Sequence, residues 1–184
     1  MNIIVHKYSI FESQNNNMLK LVKFDISDYD RLISWIDSEE LMIQFGGPYF
    51  EYPITNNQLD RYVKDKKRII YKAIDTETNK IIGHAELDRI DYINKNARIC
   101  RVLVGDKSSR NKGYGKQIIN AIVKVGFKEL KLHRLDLGVY DFNLPAIKCY
   151  ENCGFEIEGL LKDNNKVGNK YWSTYNMSKI NTYD

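Results

Sequence analysis

From Met18 the chain alternates in the manner of a half-buried strand through Leu19, Leu21, Val22 and Phe24, because successive side chains of a strand point to opposite faces. After Ser27, a residue type that caps helices well, Leu32, Ile33, Trp35 and Ile36 recur at helical spacing. Gly46, Gly47 and Pro48 then break the chain among the aromatic residues Phe45, Tyr49, Phe50 and Tyr52. A second, polar helix is expected over 57–66, followed by strands over 68–75 and 80–90 joined by a turn, and by a further strand over 97–105. Beyond the glycine turn at 113–115, Ile118, Ile119, Ile122 and Val125 follow helical periodicity and predict a helix with one buried face. Leu135, Leu137 and Val139 alternate as a strand, Pro145 stands near the start of a short helix, and Gly154 stops it. Two last strands, near 155–161 and 171–180, flank a polar turn containing Gly168 and Asn169. Early antiparallel hairpins and a central strand–helix–strand unit place the chain in the α+β class, with a mixed α/β sheet.

At 184 residues, 43% hydrophobic and 28% charged, the chain has the length and balance of one globular domain. Residues 1–17 end in the polar spacer Gln14-Asn15-Asn16-Asn17 and read as an extension ahead of a domain over 18–184, with Met18 a candidate native start. The apolar stretch from Ile118 to Val125 is interrupted by Asn120 and Lys124 and falls far short of the roughly 20 residues that span a bilayer. His6, Lys7 and Glu12 interrupt any signal-peptide core, and three cysteines fit free thiols, so a cytoplasmic location is expected. A net charge of +4 leans weakly toward anionic partners. The basic run Lys64, Lys66, Lys67, Arg68 reads as a solvated helix end, and no nucleic-acid partner is expected. Cys149 and Cys153 are four apart without further ligand types nearby, so no metal is expected.

Two segments carry chemistry. Residues 102–116 run from a strand into the turn Arg110-Asn111-Lys112-Gly113-Tyr114-Gly115-Lys116, which opens a helix. Unpaired amides at a helix start, with the positive end of the dipole, bind phosphate oxygens, and Arg110, Lys112 and Lys116 add charge-assisted hydrogen bonds. Gln117 after Lys116 departs from a P-loop, and Ile118 stands where a dinucleotide fingerprint needs glycine; a glycine turn without a ligand remains the plain alternative. In the second segment, 137–155, Asn143 and Tyr150 are seven apart, two helical turns, and so face one cleft. A helix cap and a core aromatic are their plain alternatives.

Together these segments resemble the GNAT superfamily of coenzyme-A-dependent N-acetyltransferases. Arg110, Gly113 and Gly115 match its phosphate motif, and Asn143, Ala146, Tyr150, Gly154 and Phe155 match its second motif. The similarity covers roughly Met18 to Ile180 and looks nearest to the ribosomal-protein N-terminal and spermidine acetyltransferase branches. It implies a mostly antiparallel sheet splayed in its middle and flanked by helices. Acetyl-CoA would lie where the strand ending at Val104 parts from the strand around Val139. The resemblance puts the pantetheine arm on the backbone of Leu103, Val104 and Gly105 with Asn143 beside it, and the pyrophosphate on the amides of Arg110 to Lys116.

By the same resemblance Tyr150 gives a proton to the departing thiolate, and a backbone amide near Val104 faces the thioester oxygen. The attacking amine must lose a proton, at a cost of about 4.6 kcal/mol at pH 7 for a lysine-like ammonium. Glu86 is the first candidate base and His84, of the same strand parity, the second. Many relatives carry a glutamate on the following strand, where this chain has Arg98 and Arg101; His133 reads as structural. The acceptor is an amine: a polyamine or other small amine drawn to Glu39, Glu40, Glu51, Glu86 and Asp88, or a protein N-terminus along the loop from Phe45 to Tyr52. A homodimer is compatible with this reading. The competing class is an acyl-CoA sensor or interaction module without turnover.

Overall fold

In the computed structural model, residues 18–182 are described; the expected extension over 1–17 lies outside them. Seven strands form one sheet in the order β1-β2-β3-β4-β5-β7-β6. In chain order the elements are β1 (Leu19–Lys23), α1 (Tyr29–Trp35), α2 (Glu39–Gly46), α3 (Asn56–Lys64), β2 (Ile69–Asp75), β3 (Ile81–Asp91) and β4 (Asn96–Val104). They continue with α4 (Tyr114–Lys124), β5 (Arg134–Tyr140), α5 (Leu144–Glu151), β6 (Glu156–Val167) and β7 (Lys170–Ile180). Among the described residues only β4 and β5 pair in parallel; every other neighbouring pair is antiparallel.

The sheet is covered on both faces, and β2 shows how. Tyr71 and Ala73 belong to the core under α4, while Ile70, of the opposite parity, belongs to the cluster under α1, α2 and α3. Ile118, Ile119 and Ile122 of α4 are fully buried, each contributing roughly 1.5–3 kcal/mol by leaving water. On the other face Leu32, Leu59 and Tyr62 are closed off as completely, joined by Phe45 and Phe50.

Two elements depart from the sequence expectation. A further helix, α2, stands on the Ser38 cap, whose hydroxyl accepts from the Leu41 amide at 3.2 Å. β6 runs on to Val167 rather than ending near 161, carrying its polar stretch Lys162 to Lys166 in the strand.

The centre of the sheet opens by construction. β4 and β5 are in register only from Asn96↔Arg134 to Ile99↔Leu137, whereas β5 stays with β7 as far as Tyr140↔Thr174. On its other side β4 carries a bulge against β3: Cys100 opposes Glu86 and Leu103 opposes His84, so one extra residue sits on β4. Arg101, within it, takes the left-handed φ of 52°. A bulge bends its strand, and β4 departs from β5 at this point. The resulting gap lies at the C-terminal end of the parallel pair, a frequent place for ligands.

Candidate active site

Between β4 and α4 the chain twice enters the left-handed region, at Asn111 (φ 60°) and Gly113 (φ 80°). Gly113 is the N-cap of the 11-residue α4 and has no side-chain cap; a Cβ built on it meets nothing within 4 Å. The start of α4 therefore borders free space. That space is a cavity of about 780 Å³ between α4 and α5. Val102, Val104, Arg110, Gly113, Gly115, Lys116 and Ile119 line one side, and Pro145, Ala146, Lys148, Cys149 and Tyr150 the other. Arg110, Lys116 and Lys148 make its walls cationic.

Of the residues the sequence pointed to, Val104, Arg110, Asn111, Gly113, Gly115, Lys116, Asn143 and Tyr150 come together here. Leu103 instead packs against the α1–α3 cluster. The Gly105 amide donates to the Ile82 carbonyl at 2.9 Å, and the Trp35 ring fills the space a side chain would need. Since Gly105 points its amide at β3, Val104 points the other way by strand alternation, and its carbonyl accepts from Arg110 Nε at 3.1 Å. Lys112 does not line the cavity, and the Tyr114 hydroxyl is turned to Asp75. Sequence reading missed the stripe Pro145, Lys148, Cys149, Asn152, whose i, i+3, i+4, i+7 spacing was the available signal. The neighbouring Cys153 thiol draws the Cys149 thiol below the usual range, with Lys116 assisting against burial.

A second cavity of about 380 Å³ opens on the other side of the splay. It is bounded by the end of α2 with Gly47 and Pro48, by Arg89, Arg98 and Arg101 of β3 and β4, by Gly138 to Tyr140, and by Leu161, Asn164, Asn165 and Thr174 of the terminal hairpin. Val102, Asn143, Ala146 and Tyr150 line both cavities, so Tyr150 stands where the two meet. Asn143 caps α5, its Oδ1 accepting from the Ala146 amide at 3.3 Å. The Tyr150 ring packs edge-on to Phe155 at 6.3 Å, and burial pushes its phenol well above the ordinary tyrosine range.

Residues 21–175 match the model of the acetyltransferase (GNAT) domain family. The chain belongs to the GNAT family. Among relatives of this GNAT protein, spermidine N(1)-acetyltransferase of Vibrio cholerae is 28% identical over 127 residues, 69% of this chain and 72% of that protein. An N-acetyltransferase of Bacillus licheniformis, p20, is 31% identical over 113 residues, 60% of this chain and 61% of that one. L-amino acid N-acetyltransferase of Escherichia coli is 27% identical over 104 residues, 54% and 62% of the two chains. In three dimensions the chain is similar to the crystal structure of the Vibrio cholerae spermidine N-acetyltransferase in complex with CoA and spermine. That match has a TM-score of 0.77 at 24% identity, over 90% of this chain and 96% of the other, a likeness of fold.

The candidate bases of this GNAT protein line neither cavity. Glu86 is 0% exposed and is ion-paired with Arg101 and, at 3.5 Å, with Arg68 Nη1. Burial pushes its carboxyl above the usual glutamate range, with Arg101, the Tyr62 hydroxyl and Arg68 pulling it back. Its route to the second cavity is Arg101, whose guanidinium lies 4.3 Å from the Tyr49 ring centroid. His84 Nε2 is 3.0 Å from the Tyr62 hydroxyl, and burial lowers its pKa to about 3, Arg101 assisting; it stays neutral. The acidic residues Glu39, Glu40 and Glu51 are exposed, and Asp88 faces Arg68 at 3.5 Å. Glu86, Asp88 and Cys100 do hold ligand-type atoms within 4.8 Å of one another. Arg68 and Arg101 already supply the countercharge there, and burial raises the Cys100 thiol to about 11, so these residues do not fit a resident metal. Among the described residues no helix is long and apolar enough to cross a membrane.

Proposed function

We propose that this GNAT protein transfers an acetyl group from acetyl-CoA to an amine, the thioester lying in the larger cavity and the amine entering from the smaller one. The observation that carries this reading is Tyr150 at the junction of the two. The larger cavity suits CoA on its own residues: the uncapped start of α4 at Gly113 offers amides to a pyrophosphate, and Arg110, Lys116 and Lys148 offer countercharge.

The amine attacks the thioester carbonyl, forming the C–N bond. The Val104 amide, on the open edge of β4, supports the negative charge that grows on oxygen. As the C–S bond breaks, Tyr150 donates its hydroxyl proton toward the sulfur. A thiolate, its thiol near pKa 8.5, is a weaker base than a phenolate near 10, so full transfer is uphill by at least about 2 kcal/mol, more with the phenol raised by burial. Tyr150 thus acts chiefly by hydrogen bonding to the developing thiolate. Among the described residues no Asp, Glu or His lines the smaller cavity, so the ammonium proton leaves to water. Glu86, the first candidate base from the sequence, is here given a positioning role through Arg101. A homodimer is supported by the exposed Ile157, Leu160 and Leu161 of β6.

Acetyl-CoA-dependent thiol release by the pure protein, measured with polyamines, amino acids and peptides bearing free N-termini, tests the assignment. Turnover with one class confirms it; binding of CoA with silence across all of them favours the acyl-CoA sensor. Gly113→Val is expected to weaken acetyl-CoA binding at least tenfold, because a β-branched residue resists the left-handed φ of 80° that aims the α4 amides. A dissociation constant within twofold of the parent would remove Gly113 from the phosphate site.

A further inference from the structure

We infer that the acceptor carries a carboxylate beside its amine, as a free α-amino acid does, and that Arg89 reads that carboxylate; this rests on the transferase assignment above. Among the described residues three arginines line the smaller cavity, and no acidic side chain does. Arg98 is ion-paired with Asp136 and Arg101 with Glu86, both carboxylates outside the lining. Arg89 is exposed and has no ion-pair partner among the described residues, which leaves the wall one cation in excess.

The backbone places these charges deliberately. Arg89 (φ 51°) and Arg101 (φ 52°) both take the left-handed conformation inside strands, each where the β3–β4 register shifts. Bulges re-aim side chains, and non-glycine residues hold this conformation at a cost that clusters at functional sites. Here both serve one cavity. Such a wall repels a polyamine, whose charges are all positive. It attracts a carboxylate, for which the guanidinium fork is matched. It also lowers the pKa of a nearby ammonium, which favours the free amine where no side chain is available as a base. A cavity of about 380 Å³ suits a small molecule.

The test compares initial rates of CoA release for the proteinogenic L-amino acids, their α-carboxamides and spermidine, each referred to the concentration of free amine. For the best amino acid, kcat/KM is expected to exceed that of its carboxamide at least tenfold. Arg89→Met should collapse this ratio to within about threefold, and Arg89→Lys should retain part of it. A carboxamide or spermidine turned over as well as the amino acid overturns the inference and leaves the transferase standing. An unchanged ratio in Arg89→Met removes Arg89 as the reader. Silence toward every amine, with acetyl-CoA still raising the melting temperature, overturns the transferase assignment and this inference with it.

Discussion

Tyr150→Phe is expected to lower kcat by about 100-fold or more, the usual scale for a positioned proton donor, while the dissociation constant of acetyl-CoA stays within twofold. The substitution keeps the ring that packs against Phe155 and removes only the hydroxyl at the junction of the two cavities. A 100-fold loss corresponds to about 2.7 kcal/mol of transition-state stabilisation, reasonable for one hydrogen bond to a developing thiolate. Steady-state rates beside a calorimetric titration of CoA separate chemistry from binding. Because burial raises the phenol, the donor form is retained at neutral pH and past the ordinary tyrosine range, so any loss of rate in wild type near pH 9 comes from another group. A variant that turns over like the parent would take Tyr150 out of the chemistry and leave its place at the junction without a role.

What the sequence made legible were the places where backbone geometry restricts residue choice. Gly113 is glycine because the cap of α4 is left-handed, and Asn143 is an amide because α5 needs a cap; both constraints survive in the chain as a readable spacing. Helix α2 was harder. Its apolar positions Leu41, Met42, Ile43 and Phe45 run close together and end at a glycine pair, which hides the helical period in a short window. The polar half of β6 showed no alternation because neither face of that strand is covered. Parity along β3 was read correctly, Glu86 and His84 sharing a face. What lies over that face was not legible, because Tyr62 comes from α3 and Tyr49 and Phe50 from the loop before it. Those residues, with Arg101, turn an apparent surface carboxylate into a buried ion pair. The bulge at Arg101 is equally silent in the sequence, since an extra residue shifts which side chains share a face without altering their composition.

The burial of Glu86 sets the second large effect. Glu86→Gln is expected to lower the unfolding free energy by about 3 kcal/mol, the lower end of what breaking a buried pair costs, and so to lower the melting temperature by roughly 6–12 °C for a chain of this size. Arg68 would keep Asp65 at 2.7 Å and Asp88 at 3.5 Å. Arg101, 9% exposed, would lose its countercharge and keep a neutral carbonyl and the aromatic faces of Tyr49, Phe50 and Tyr62. An uncompensated guanidinium is therefore the source of the loss. Removing it together with its partner should restore much of the stability, so the double variant Glu86→Gln/Arg101→Met is expected to melt above Glu86→Gln alone. Kinetics divide the two roles open to this carboxylate. Positioning through Arg101 predicts that Glu86→Gln raises the KM for the amine while kcat changes less than tenfold and the pH–rate profile keeps its shape. A general base predicts the converse: a collapse of kcat, loss of the acidic limb of the profile and little change in KM. The geometry favours the first outcome, because a base must reach the proton it removes. Glu86 borders neither cavity, and its carboxylate is already held between two guanidiniums.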